Sequence, residues 1–251
     1  MRELKDETIV VGDLPSAHLG ADLICVQEST SFAEIETLLL LHDYSQLPVV
    51  HSRRRTVARH QHTVSWKSVA RAKLKDHQAI PKDAFVQVQC VRPTDDLMRI
   101  VPRVLEHDFV LVEDQNILQG IVTPFDLTEF FGSKITPFIL IGEIDKRLRR
   151  VIARKFSISE IQAICAEYGH HVTSTEDMTI GDYIAVLQPA ENWERLRWPL
   201  IQSIVLKAFN KVREERNQLM HFKEQSEIDV DFMRHVLDVI RDFSSVDSED
   251  K

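Results

Sequence analysis

One α/β pattern occurs twice in the first half of this chain, and an internal repeat restricts the fold more than composition can. The first copy opens with the apolar run ICVQ at 24–27. Ser31 and Glu34 follow at capping-box spacing and predict a helix through Leu41. LPVV at 47–50 reads as a strand, and HTVSWKSVARA supplies another strand ending near Ser65, with a helix from Trp66. The second copy keeps this order: VQVQC, then Thr94 as the cap of a helix through Glu106, then FVLV at 109–112, ILQGIVT and PFDLTEFF. Matching Leu47 to Phe109 gives an offset of 62, and matching Ser65 to Thr123 gives 58, so the first copy carries four extra residues. They fall within HSRRRTVARHQH.

Each copy therefore reads β-α-β-β-α, a unit that leaves an apolar sheet face exposed when alone. Pairing the copies buries both faces, with KDHQAIPKDAF as the connector. After Gly132 the pattern is helical only. Ile141, Ile144, Leu148, Val151 and Ile152 share one helix face, and Ser157 with Glu160 caps the next helix. A short helix spans 179–187. The longest starts near Pro199, with Ile201, Ile204, Val205, Ala208, Phe209 and Val212 as its apolar stripe. Met233, Val236, Leu237, Ile240 and Phe243 mark a last helix, and the tail from 245 to 251 is expected to be disordered. The fold class is α+β: a repeat pair at 1–132, with copies at about 8–76 and 82–132, and an all-α bundle at 134–244.

The formal net charge of -8 excludes a protein that coats nucleic acid over its whole surface. Local basic patches remain, at Lys146, Arg147, Arg149, Arg150, Arg154 and Lys155, and at Lys207, Lys211, Arg213 and Arg216. Solvated helix faces account for either patch taken alone. Cys25, Cys90 and Cys165 lie far apart, with neither metal-ligand nor Cys-x-x-Cys spacing, which fits a reducing compartment. MRELKDETIV has no apolar signal core, and no run reaches the roughly 18 to 20 residues that cross a bilayer. A cytoplasmic protein with no membrane partner is expected.

The strand-to-helix turn GIVTPFDLTEF concentrates polar chemistry. A Thr hydroxyl and the free N–H groups of a helix start can hold a phosphate, and the Asp126 carboxylate can accept ribose hydroxyls. Thr123 and Asp126 can also simply cap the helix. Residues 8–132 resemble a pair of CBS domains, with Gly120, Thr123 and Asp126 on the family's Gly, apolar strand, Thr/Ser, two residues, Asp pattern. The resemblance implies an adenine nucleotide (AMP, ADP or ATP) in a cleft between the repeats, and no metal. The first copy keeps Ser65 but reads Thr63 and Ser68 where the glycine and the acid are expected. One good site is expected in the second copy, with Ser65 and Ser68 forming a weak or empty counterpart.

In the helical half, REERNQLMHF interrupts the apolar stripe late in the longest helix. Asn217 and His221, four apart, share a face, whereas Arg216 and His221 lie about 140° apart unless the helix ends or bends. Residues 134–244 resemble HEPN domains, all-helical dimers many of which are RNases, on Arg216, Asn217 and His221. The resemblance implies a homodimer whose cleft gathers two such sets. His221 would act as general base or acid on RNA, Arg216 would stabilise the phosphorane, and Asn217 would orient the phosphate, without metal and without action on DNA. A non-catalytic regulator or dimerisation module is the alternative. Trp193 and Trp198 read as core anchors, Glu143 as an auxiliary acid, and His170 and His171 as loop residues poorly placed for a metal.

Overall fold

A computed structural model describes residues 8–51, 55–56, 61–220 and 228–245. They fall into two units that meet in sequence at Phe131 and Gly132.

The N-terminal unit holds two sheets. In the first, β1 (Val26–Gln27) runs parallel to β2 (Gln46–Val50), β2 is antiparallel to β3 (Gln61–Ser65), and β3 to β4 (Val86–Val88). In the second, β5 (Cys90–Val91) is parallel to β6 (Val110–Asp114), which pairs antiparallel with β7 (Ile117–Val122). The helices between them are α1 (Phe32–Leu41), α2 (Trp66–Lys75) and α3 (Leu97–His107), and α4 (Pro124–Lys155) begins straight after β7. The repeated β-α-β-β-α order is thus observed. Its physical origin is local, because Ser31 caps α1, Ser65 caps α2, and both make reciprocal boxes with the residue three further on.

Three details differ from the sequence expectation. VQVQC is not one strand: Val86–Val88 completes the first sheet against β3, and the chain enters the second sheet only at Cys90. The cap of α3 is Asp96, whose Oδ1 accepts from Met98 N at 2.9 Å, and not Thr94. Residues 10–18, read with the first copy, pack on the second. Val10 bridges Asp96, Leu97 N donates to the Ile9 carbonyl, and Val11, Leu14 and Ala17 share a core with Leu97, Ile100 and Val104.

The hairpin loops explain the four-residue offset. Asp114 pairs with Ile117 across only Gln115 and Asn116, whose φ values of 50° and 60° define a type I′ turn. The corresponding loop of the first copy is longer, and within it Arg55 accepts a hydrogen bond from Leu118 N and donates its guanidinium to the Ala21 carbonyl at 2.6 Å.

The C-terminal unit is a helical bundle. It contains the later turns of α4, then α5 (Ile158–Glu167), α6 (Ile180–Leu187), the short α7 (Ala190–Glu194), α8 (Gln202–Met220) and α9 (Val230–Ser245). Ile144, Leu148, Ile152, Tyr183, Phe209, Met233 and Ile240 form the centre of its core. Trp193 and Trp198 meet edge to face at 5.9 Å inside it, as core anchors should. α4 continues through Gly132, where the sequence pattern changes, and through Pro137, which removes one donor from the ladder without ending the helix. α8 starts at Gln202 and not at Pro199, because the Ile201 carbonyl accepts from Ile204 N and Val205 N. α9 runs through Ser245, and the rest of the expected tail lies outside the described residues.

Candidate functional site

Within the N-terminal unit a cleft of about 1330 Å³ is lined by both repeats, including Ser65 and Ser68 from one and Thr123 and Asp126 from the other. At the second-repeat end, β7 delivers Thr123 to the start of α4, and Pro124 supplies a favoured first helical position. Asp126 Oδ2 accepts from Thr123 N at 2.7 Å and from Thr123 Oγ1 at 2.5 Å, and Asp126 N approaches Thr123 Oγ1 at 3.4 Å. The cap is therefore real. It uses one carboxylate oxygen, while Oδ1 has no hydrogen-bond partner among the described residues. Ser16, whose hydroxyl is buried without a partner among the described residues, also lines the cleft. A half-buried, cleft-lining carboxylate with one oxygen left unpaired can accept hydroxyl donors, which is what a ribose diol presents.

Gly120 is not a lining residue. A Cβ there would lie 2.1 Å from the Ser16 carbonyl oxygen and 2.7 Å from the Ala17 carbonyl carbon, so the glycine lets residues 15–18 pack on β7.

At the first-repeat end, Ser65 and Ser68 satisfy each other. Ser68 N donates to Ser65 Oγ at 3.1 Å, Ser65 N to Ser68 Oγ at 2.9 Å, and Ser68 Oγ to the Ser65 carbonyl at 3.0 Å. Ser68 is buried, and this end has a hydroxyl where the second repeat has the Asp126 carboxylate. The two caps align Ser65 with Thr123, which puts His62 at the glycine position; Thr63 is one residue later and buried in β3.

In the helical unit, Arg216 is half-buried on α8, Asn217 is exposed, and Arg216 Nη1 donates to Asn217 Oδ1 at 3.3 Å. His221 lies outside the described residues. Beside Arg216, Glu215 is buried, its Oε2 has no partner among the described residues, and burial raises its pKa above the usual carboxylate value. Lys211 bridges to Asp229 at 2.8 Å. Glu143 is engaged on its own helix by Lys146 and Arg147, each at 3.9 Å, and Arg149 by Asp145 at 2.5 Å, so much of the basic patch on α4 is paired within the helix. Arg149 also donates to the Tyr183 hydroxyl, which donates to Asp145, and burial pushes that phenol up to about 12.

Sequence reasoning missed one pair: His170 Nδ1 lies 2.9 Å from Asp182 Oδ1, while Asp182 Oδ2 accepts from Thr179 N and Oγ1. Twelve residues separate His170 from Asp182, and no local pattern reports such a contact. Burial raises the thiols of Cys25 to about 11, Cys90 to about 12 and Cys165 to about 11, which keeps them protonated at neutral pH and unsuited to thiolate chemistry. Among the described residues no group of three or more His, Cys, Asp or Glu could hold a metal, and no helix is long and apolar enough to cross a membrane.

No family model and no curated protein matches the chain. Among solved structures, it is similar to the CBS domain pair of protein MJ0100 in complex with 5′-methylthioadenosine and S-adenosyl-L-methionine, at 19% identity over 51% of this chain and 98% of that one, with a TM-score of 0.41. CBSX2 in complex with AMP is 22% identical over 48% of this chain and 94% of that one, with a TM-score of 0.40. A conserved protein of Geobacillus kaustophilus is 20% identical over 50% and 97%, with a TM-score of 0.42.

Proposed function

We propose that the N-terminal unit is a CBS-type pair that senses an adenine nucleotide and regulates the helical unit fused to it. The observation that carries this reading is the cleft lined by both repeats, with Asp126 lining it and its Oδ1 unpaired among the described residues beside a satisfied helix cap. The ribose hydroxyls donate to Asp126, and AMP, ADP or ATP is the ligand class. The test is calorimetry with ATP and its 2′,3′-dideoxy analogue: the ribonucleotide binds more tightly, and equal affinities would sink the reading.

The effector in this reading is a HEPN-like, metal-independent endoribonuclease that acts as a homodimer on RNA, with Arg216, Asn217 and His221 as its active set. Its support is the residue spacing, the position late in a long helix, and the exposure of Asn217 beside the half-buried Arg216. Ligand binding changes activity by shifting a pre-existing equilibrium between arrangements. A second reading, a non-catalytic regulator whose helical unit only dimerises or docks a protein, draws on Ile201, just before α8, and Ile204, in its first turn, which are 66% and 63% exposed. Incubating the protein with total RNA, with and without ATP, beside His221→Ala separates the two readings.

A further inference from the structure

The outward side of α4 changes character within the helical unit. Ile135, Ile139, Gly142, Lys146, Arg150 and Arg154 follow one another at three- or four-residue intervals and so run along one side of the helix, away from the buried Ile144, Leu148 and Ile152. Ile135, Phe138 and Ile139 are 50%, 43% and 59% exposed, and Lys146, Arg150 and Arg154 are exposed as well. The first half of the strip is thus apolar with one aromatic ring, and the second half is basic. Arg150 and Arg154 have no ion-pair or hydrogen-bond partner among the described residues, and Lys146 only approaches Glu143, at 3.9 Å. Other cations of this unit are engaged: Lys211 with Asp229, Arg195 with Glu160, Arg234 with Asp231 and Arg241 with Asp238. In a chain of net charge -8, neighbouring cations left free in this way are not a by-product of a basic composition.

We infer that this side of α4 is a track for single-stranded RNA, on which Lys146, Arg150 and Arg154 take successive phosphates and a base stacks on Phe138. The choice of RNA rests on the nuclease reading; the basic and aromatic arrangement stands on its own residues. Four residues of helix rise about 6 Å, so the three cations span about 12 Å, the reach of two steps along an extended strand. A guanidinium suits this task because its planar fork can give two parallel N–H bonds to one phosphate. An exposed ring beside a row of cations holds a single strand without reading its sequence, since every base has a face to stack and every nucleotide a charge to neutralise. An anionic lipid surface fits less well. A helix that lies in a membrane interface presents its apolar side along its whole length with basic residues on the polar side, whereas here the apolar and basic parts follow one another along one side.

Fluorescence anisotropy with the full chain and a labelled single-stranded 2′-O-methyl oligonucleotide measures holding without cleavage. Combining Lys146→Gln, Arg150→Gln and Arg154→Gln lowers affinity on the order of tenfold and, at about 0.7 counterion per phosphate, flattens the logarithmic salt slope by about 2. Arg234→Gln with Arg241→Gln, which removes exposed charge from α9, leaves affinity and slope unchanged. Phe138→Ala weakens binding several-fold and keeps the slope, because stacking releases no counterion. A triple variant with the parent's affinity and slope, or an equal loss in the α9 variant, overturns the track. Binding to phosphatidylserine vesicles through the same three cations, with none to the oligonucleotide, overturns it too. Binding that depends on the three cations in a protein that cleaves no RNA leaves the track standing and removes the nuclease reading. Cleavage of RNA whose affinity ignores the three cations does the reverse.

Discussion

Asp126 and Gly120 sit in one motif and do different work. The Asp126→Asn substitution keeps an oxygen for the Thr123 N–H and hydroxyl but removes the charge that ribose hydroxyls would meet. Affinity for ATP is expected to fall by about tenfold or more, with thermal stability little changed, as calorimetry and a melting curve will show. Gly120→Ala is expected to behave in the opposite way. The new methyl would meet backbone atoms of Ser16 and Ala17, which cannot rotate aside, and urea unfolding should register a loss of about 3 kcal/mol. Sequence placed both residues in the motif; only the approach of residues 15–18 to β7 separates a packing glycine from a cleft-lining acid. Glu160 gives a pH signature at this scale. The Ser157 backbone N–H, then Arg195 and the Ser157 hydroxyl, hold its carboxyl from 4.5 down to about 2. Because the folded pKa is depressed, the cap is intact above the ordinary carboxylate range and is lost as pH falls from about 4.5 toward 2. Carboxyl NMR titration of Glu160 should follow that window, and Arg195→Ala should move its midpoint upward.

Helices whose caps and stripes are local were legible in sequence: α1, α2 and α5 start at Ser31, Ser65 and Ser157. Boundaries that depend on partners were not. Val86–Val88 was read with the second copy because it resembles the strand that follows; its pairing with β3 is a long-range choice that hydropathy does not encode. The same holds for α8, where Ile201 and Ile204 were read as part of the stripe, while Val205, Leu206, Phe209 and Val212 are the buried face. The β6–β7 hairpin offers a test of element-level chemistry. Gln115 at φ 50° occupies a left-handed position that Asn tolerates better, and Asn116 at φ 60° one that glycine tolerates better. Gln115→Asn with Asn116→Gly should raise stability by about 1 kcal/mol in urea unfolding, without altering ligand binding.

For the whole molecule, the proposed sensor and nuclease make a joint prediction. Light scattering should report two chain masses, and Ile201→Lys with Ile204→Lys should reduce that to one if the exposed apolar residues around the start of α8 form the contact. RNA cleavage should persist in EDTA, leave 2′,3′-cyclic phosphate and 5′-hydroxyl ends, spare DNA, and disappear in Arg216→Ala and His221→Ala. Lys207→Ala should only weaken RNA binding, in a salt-dependent way. A His221→Ala protein that cuts RNA at the parent rate, or a parent stopped by EDTA, would leave the non-catalytic regulator as the better reading.

The order of elements, the duplication and the division into an α/β half and a helical half were written in the sequence, because caps, periodicity and repeat offsets are properties of neighbouring residues. So was the asymmetry between Ser68 and Asp126. Tertiary structure decided the rest: that residues 10–18 complete the second repeat's core, that Gly120 serves packing, and that His170 leans on Asp182. Each of these depends on which distant surfaces meet. That is set by the burial of apolar area across the whole chain, and no window of adjacent residues contains it.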